Sequence, residues 1–175
     1  LVLFDLDSGW SNNKELSLLE GNRNNELLTI YNNIKQNSSW KRKFVTAFCL
    51  LDGSVFTSEH CTQVGDSICK LVLRALSLEE RNPMQTYYKI RNAMTSETRR
   101  RERMADLKKN FSLSQGMTVS LAGSNPHVSF RINNQPVPYG RFSGTLFAPV
   151  SIEASAPAGY NFLGWRQKGT DDAFI

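Results

Sequence analysis

Residues 108–123, KKNFSLSQGMTVSLAG, mark the point at which the chain changes its pattern of hydrophobic residues. Before this stretch, Leu, Glu, Lys and Arg recur at intervals typical of α-helices. After it, Val, Ser, Gly and aromatic residues alternate over short runs, as they do in β-strands. The sequence therefore predicts an α+β protein, with a mainly helical part at residues 1–112 and a small antiparallel β-module at residues 113–175.

The helical part is predicted to begin with a strand at residues 1–5 and a polar loop at 6–22, followed by four helices. Apolar residues recur on one face of each helix, as expected for helices that pack on a core. The last helix is unusual, because charged residues such as Glu97 and Arg101 fill the middle of its apolar stripe. The predicted helices span residues 24–36, 39–52, 58–78 and 84–110.

The second part contains short alternating runs separated by turn-forming residues. We expect five strands, and we expect Phe162 and Trp165 to anchor the small core of the module. The predicted strands are MTVSLAG at 117–123, HVSFRINN at 127–134, SGTLFA at 143–148, VSIEASA at 150–156 and YNFLGW at 160–165.

The composition is that of a globular protein, with 40% hydrophobic and 21% charged residues in a chain of 175. No apolar run approaches the roughly 20 residues that cross a bilayer, so we expect no membrane span. The chain starts with Leu1, within an apolar run, and we therefore expect it to be a piece of a longer protein.

The chain contains three cysteines, Cys49, Cys61 and Cys69, which we expect to be buried and reduced. Cys61 and Cys69 lie eight residues apart in a predicted helix, about 12 Å along its axis. A disulfide requires Cα atoms within about 7 Å, so these two cannot pair. The histidines, His60 and His127, do not complete a zinc motif with them.

The positive charge of the chain is concentrated at residues 89–109, where eight basic and three acidic residues account for the whole net charge of +5. Such a segment could bind a nucleic-acid backbone, contact an acidic partner, or form a solvated helix with ion pairs such as Glu97–Arg101. No aromatic residues are interleaved with the arginines, which argues against binding of single-stranded nucleic acid. We favour the solvated helix and do not expect a nucleic-acid partner.

Two carboxylates, Asp5 and Asp7, follow the apolar run in LVLFDLDSGW at residues 1–10. On a strand, side chains two positions apart point to the same side, as two metal ligands must. Carboxylate oxygens beside a polar loop suit Mg²⁺ or Mn²⁺ bound together with phosphates. The same pair could also be solvated or cap a turn at the end of the strand, and the spacing alone leaves both interpretations open.

Three segments, taken in order, resemble the spore-coat CotH kinase family. They are the Asp-x-Asp stretch LVLFDLDSGW, the aromatic helix WKRKFVTAFCLLDGSVF at residues 40–56, and the Arg-rich helix RRRERMADLKKNFSL at 99–113. In the last segment Arg99, Arg103, Leu107 and Phe111 match the family pattern. The stretch GTLFAPVSIEASAPAGYNFLGW at 144–165 resembles a β-repeat of bacterial surface proteins.

The resemblance implies an atypical protein kinase-like fold that transfers phosphate from ATP to a protein substrate. In such folds an Asp that follows a strand holds the Mg²⁺ that bridges the phosphates, and Asp5 and Asp7 match that position. Which of the two is the main ligand stays open. The chain lacks a Gly-rich loop, a phosphate-binding Lys and a catalytic Asp with its following Asn. We therefore expect the parent protein to use Mg²⁺ with ATP, and this fragment to be inactive and without a bound cofactor.

The surface-type repeat implies that the parent is exported or displayed at the cell surface. An alternative is a non-enzymatic surface or interaction protein with a degenerate kinase-like core. In that case exposed aromatic residues such as Tyr139, Tyr160 or Trp165 could form a recognition patch.

One arginine of the basic segment is expected to be buried and paired with an acidic side chain. Met94 and Met104 set the phase of the predicted helix at residues 84–110, and Arg101 then falls on its inner face. Arg99 is the alternative that the family resemblance favours. A buried, unpaired guanidinium costs several kcal/mol, so the prediction includes a partner carboxylate or helix C-terminus.

Overall fold

The computed structural model describes residues 26–79 and 82–167, and within them the protein is α+β as predicted. The strand predicted at residues 1–5 and the loop at 6–22 lie outside these residues. The described helices are α1 (Glu26–Lys35), α2 (Ser38–Leu50), a π-helical turn (Leu51–Val55), α3 (Ser58–Glu79), α4 (Pro83–Met94) and α5 (Glu97–Asn110). The strands are β1 (Gly116–Leu121), β2 (Ser129–Ile132), β3 (Gln135–Pro136), β4 (Phe142–Phe147) and β5 (Ile152–Ser155), with a 3₁₀ turn at Pro138–Gly140.

The helix predicted at residues 84–110 is in fact two helices, α4 and α5. Ser96 leaves the helical conformation, and its hydroxyl accepts a hydrogen bond from the Arg99 N–H at 3.3 Å, which makes it the N-cap of α5. The charged interruption of the apolar stripe at Glu97 and Arg101 therefore lies in the first turns of the second helix.

The strands form two small antiparallel sheets. β1 pairs with β4 from Gly116–Phe147 to Leu121–Phe142, whereas β2 lies between β3 and β5. The segment YNFLGW, predicted as a strand, has no regular secondary structure. Its Trp165 nevertheless packs on the core, with its ring centroid 6.0 Å from that of Phe130, while Phe162 contacts Trp165 and stays half-exposed.

Helices and strands contribute to one buried hydrophobic cluster. Leu107 and Phe111, at the end of α5, are almost fully buried, and the Phe111 ring lies 5.2 Å from that of Phe44 in α2. The strand side chains in the same cluster include Phe142 and Leu146 of β4. The residues on the two sides of the boundary predicted at 112 therefore share a core.

The three cysteines are buried and free, which confirms the prediction of reduced thiols. None of the helices in residues 26–79 and 82–167 is long and apolar enough to span a membrane.

Candidate functional site

The predicted metal ligands, Asp5 and Asp7, lie outside the described residues, so their role stays a prediction. Within residues 26–79 and 82–167, no group of three or more His, Cys, Asp or Glu side chains could hold a metal ion. The described part of the chain offers two other features with defined chemistry, a buried ion pair and an apolar groove.

The ion pair is built on the π-helical turn Leu51–Val55, which closes with a hydrogen bond from the Phe56 N–H to the Leu51 carbonyl at 2.7 Å. This turn packs directly on β4. A Cβ atom added to Gly53 would lie 2.3 Å from the Phe142 ring, so only glycine permits this approach. The Ser54 hydroxyl donates to the Arg141 carbonyl at 2.8 Å and holds the turn against the strand.

Arg100 connects three parts of the fold. Its Nε donates to Oδ2 of Asp52 in the π-helical turn at 2.9 Å, and its Nη2 donates to the Ser143 carbonyl of β4 at 2.9 Å. Its Nη1 also lies 3.7 Å from Glu97 one turn earlier in α5. One arginine of the segment is therefore paired with a buried acidic side chain, as predicted, but with 20% of its side chain exposed Arg100 is only partly buried.

The identity of that arginine was predicted wrongly. Arg101 is exposed, and its Nε donates to the backbone carbonyl of Glu97 at 3.3 Å. The physical reason is the break before α5, because Met94 lies in α4 and cannot set the phase of the next helix. Arg99 and Arg100 are both partly exposed, and it is Arg100 that contacts Asp52.

Burial dominates the electrostatics around Asp52. It raises the pKa of the Asp52 carboxyl above its ordinary range, and the Arg100 guanidinium opposes the shift. Oδ1 of this carboxyl has no hydrogen-bond partner within the described part of the chain. Burial, helped by the nearby Asp52 charge, also raises the pKa of the Cys49 thiol to about 12. Because the Asp52 carboxylate and the protonated Cys49 thiol are both buried, they suit a structural link between the helices and the sheet.

The second feature is an apolar groove of about 550 Å³ between α3 and α4. Its walls are mainly aliphatic, aromatic and sulfur-containing side chains. One end is bounded by Tyr139, whose ring lies 4.5 Å from that of His60. The groove-lining residues include Val64, Ile68, Val72, Ile90 and Met94.

A polar cluster joins α3 to α4 beside the groove. The Tyr87 hydroxyl donates to Oδ1 of Asp66, and Arg91 lies 3.4 Å from the same oxygen. The hydrogen bond from Tyr87 and the contact with Arg91 hold the pKa of Asp66 below its ordinary value. The Arg91 guanidinium also lies 4.8 Å from the Tyr88 ring, within the range of a cation–π contact.

Of the aromatic residues considered for a recognition patch, Tyr139 and Tyr160 are exposed and Trp165 is partly buried. Tyr139 borders the groove, and Trp165 belongs to the core of the β-module. Asp52, which follows the apolar end of α2, was not predicted to be buried or to pair with an arginine. An acidic residue that precedes glycine normally indicates a solvated helix end, and nothing in the local pattern marks it as buried.

Comparison with known proteins returned no match: no family model, no curated protein and no solved structure is significantly similar to this chain.

Proposed function

We propose that the chain is the C-terminal part of a CotH-type, atypical kinase-like protein, and that it carries half of a metal site at Asp5 and Asp7. The parent would transfer phosphate from ATP to a protein substrate at the cell surface. The isolated chain would be inactive, because phosphoryl transfer depends on positioning both substrates and the metal together.

The observation that supports this proposal is the packing of two of the segments that carry the resemblance. The aromatic helix α2 contributes Trp40 and Phe44, whose rings lie 6.3 Å and 5.2 Å from the Phe111 ring. Phe111 and Leu107 form the Leu-x-x-x-Phe end of the Arg-rich helix, and both are buried. Two motifs separated by 42 residues of sequence thus contribute to one core, as expected if they belong to one inherited fold.

The metal would be held by the carboxylates of Asp5 and Asp7, since hard oxygen ligands suit Mg²⁺ bound with nucleotide phosphates. When bound, Mg²⁺ would neutralise the negative charge of the phosphates. The chain's own contribution would be to present two carboxylates from the same side of one short segment.

A titration with Mn²⁺, followed by electron paramagnetic resonance, tests the metal site on the chain as it stands. We expect the variant Asp5→Ala/Asp7→Ala to bind Mn²⁺ at least tenfold more weakly than the unmodified chain. Glu153→Gln, which removes an exposed carboxylate of β5, is the matched control and should bind normally. Equal Mn²⁺ binding by all three proteins would rule out the proposed ligands.

A kinase assay with radiolabelled ATP tests the second part of the proposal. We expect no phosphate transfer by this chain to itself or to a general protein substrate. ATP-dependent phosphorylation that disappears in Asp5→Ala would show that the chain is already a complete enzyme, contrary to the proposal.

The alternative, a non-enzymatic interaction protein, is favoured by the apolar surface on α3 and α4. Monomeric proteins seldom leave large contiguous apolar patches exposed unless a partner covers them. This alternative requires no metal, so it predicts that Mn²⁺ binding is equally weak in the unmodified chain and in Asp5→Ala/Asp7→Ala.

A further inference from the structure

A polar cleft, separate from the ion pair and from the apolar groove, lies between α2 and the turn that joins β2 to β3. Its volume is about 620 Å³, which is within the range of small-molecule sites in proteins. Ser39, Arg42 and Lys43 of α2 line one side, and Asn133 and Asn134 of the turn line the other. The cleft thus brings together polar groups from two distant parts of the chain.

Hydrogen bonds between the two sides hold the cleft in shape. The Asn133 Nδ2 donates to the hydroxyl of the buried Thr46 at 2.9 Å, and the Asn133 Oδ1 accepts from the Ser151 N–H at 2.9 Å. The Gln135 Nε2 donates to the Lys43 carbonyl at 2.9 Å. The turn is therefore fixed against α2 before any ligand arrives, which lowers the cost of binding.

The two asparagines of the turn have different roles. Their φ angles are 49° and 64°, in the left-handed region that asparagine tolerates and that a two-residue hairpin turn requires. Asn133 uses both ends of its amide to hold the cleft together. Asn134 is exposed, and its side chain makes no hydrogen bond within residues 26–79 and 82–167. The Asn134 amide can therefore donate to a ligand and accept from it.

The charge of the cleft indicates an anionic ligand. Arg42 and Lys43 are exposed, and neither forms an ion pair with the described part of the chain. No acidic residue among those described lines the cleft, nor the adjoining hollow toward α1, which shares Lys43 with it. Two positive charges without a carboxylate beside them attract an anion.

Two aromatic residues add an apolar wall to the cleft. The Trp40 ring is stacked on the Phe44 ring, with centroids 5.0 Å apart and planes 16° apart, and both residues line the cleft. The Tyr31 ring meets Trp40 edge-on at 6.2 Å and keeps it in place. An apolar wall beside amide and hydroxyl groups suits a sugar, since a sugar ring has an apolar face and an edge of hydroxyl groups.

We propose that the cleft binds a sugar that carries a phosphate or a sulfate group. Arg42 and Lys43 bind the anionic group, whose three terminal oxygens can accept from a guanidinium and an ammonium at once. Asn134 and Ser39 bond the sugar hydroxyls, and the ring packs beside Trp40. None of these residues belongs to the proposed metal site, so the binding requires neither Mg²⁺ nor kinase activity.

Isothermal titration calorimetry of the whole chain tests the proposal with glucose 6-phosphate and glucose 6-sulfate, in the absence of metal. We expect both to bind with a dissociation constant of about 1 mM or lower. Glucose itself should bind at least about tenfold more weakly, because it lacks the charge that the two cations bind. The sugar that binds more tightly identifies the anionic group as phosphate or as sulfate.

The variant Arg42→Gln/Lys43→Gln tests the cationic side of the cleft. It should weaken the binding of glucose 6-phosphate at least about tenfold, because it removes both positive charges. Lys89→Gln/Lys109→Gln is the matched control, since it removes two exposed charges outside the cleft, and it should bind normally. All four residues are exposed, so both variants should retain the circular dichroism spectrum of the unmodified chain.

The variant Asn134→Gly separates recognition of the sugar from recognition of the anion. Glycine keeps the positive φ of the turn and removes only the side-chain amide. We expect this variant to bind glucose 6-phosphate about fivefold more weakly, as for the loss of one hydrogen bond, and to bind inorganic phosphate as the unmodified chain does.

Four results would overturn the proposal. Neither charged sugar could bind at about 10 mM, or Arg42→Gln/Lys43→Gln could bind as tightly as the unmodified chain. Inorganic phosphate could bind as tightly as glucose 6-phosphate, which would show that the cleft recognises an anion alone. Adenosine monophosphate could bind at least about tenfold more tightly than either sugar, which would assign the cleft to nucleotides.

Discussion

The Arg100 guanidinium donates to the Asp52 carboxylate at 2.9 Å, across 48 positions of sequence. Asp52 is 5% exposed and Arg100 20%, so the pair is largely withdrawn from water. It links α5 to the π-helical turn, and a second hydrogen bond from Arg100 to the Ser143 carbonyl extends the link to β4. The helices and the sheet are joined at this point by polar contacts as well as by the hydrophobic core.

Replacing Arg100 with Met should lower the free energy of unfolding by about 3–5 kcal/mol, because it leaves the buried Asp52 carboxylate without its partner. Urea denaturation measures the change. Arg101→Met, on the exposed side of the same helix, should change stability by less than about 0.5 kcal/mol. The double variant Asp52→Asn/Arg100→Met should recover part of the loss, and a double variant as unstable as the sum of both singles would argue against direct coupling.

Gly53→Ala should destabilise the protein by about 1–3 kcal/mol, since the new methyl group would collide with the Phe142 ring. Gly65→Ala in α3 is the matched control, because its nearest neighbour, the Tyr87 hydroxyl, lies 3.4 Å from the added Cβ. There the helix-forming preference of alanine should leave stability unchanged or slightly higher. Thermal unfolding measures the melting temperatures of both variants. Equal melting temperatures for Gly53→Ala and Gly65→Ala would contradict the close approach of the turn to β4.

Tyr87→Phe should raise the pKa of the Asp66 carboxyl toward its ordinary value, because the hydroxyl that stabilises the ionised form is lost. In the unmodified chain this contribution to stability is present above the ordinary pKa of Asp, and it is lost as the pH falls through the lowered value. Carbon-detected NMR titration of Asp66 provides the measurement. Ser67→Ala, next to Asp66, is the control, and an unchanged titration in Tyr87→Phe would exclude the hydrogen bond.

The Cys49 thiol, with a pKa raised to about 12, should not react with a thiol reagent at pH 8 while the chain is folded. All three cysteines should react after unfolding in guanidinium, since they are free and buried. Leu163→Cys adds an exposed thiol and should give one fast reaction in the folded state. Rapid labelling of Cys49 itself in the native protein would contradict its burial.

The raised pKa of the Cys49 thiol also predicts that the folded protein loses stability at alkaline pH. The unfolded chain releases the Cys49 proton above about pH 8.5, whereas the folded chain retains it up to about pH 12. Stability should therefore decrease as the pH rises through this interval, and Cys49→Ala should show a weaker decrease. Chemical denaturation at pH 7 and pH 10 gives the comparison.

The α+β class, the positions of α1, α2 and α3, and the burial of the three cysteines could be predicted from the sequence. These features depend on hydrophobic periodicity and on the side chains' own polarity, both of which are local. The ends of helices are also local where a capping residue marks them, yet Ser96 was overlooked because Met94 and Met104 were assigned to one helical stripe that runs across it. The metal ligands Asp5 and Asp7 rest on the sequence alone and remain a prediction.

What the sequence by itself determined is where most of the described helices and strands lie and which of their faces are apolar. Only the tertiary structure decided that Arg100, and not Arg101, is the arginine that pairs with the buried Asp52. Its partner Asp52 comes from a turn 48 positions earlier, and a helix break reset the phase between Met94 and Met104. Hydrophobic periodicity carries no information across such a break, because the direction of a side chain depends on unbroken helical geometry. The ion-pair partner of an arginine depends in turn on how distant segments of the chain pack.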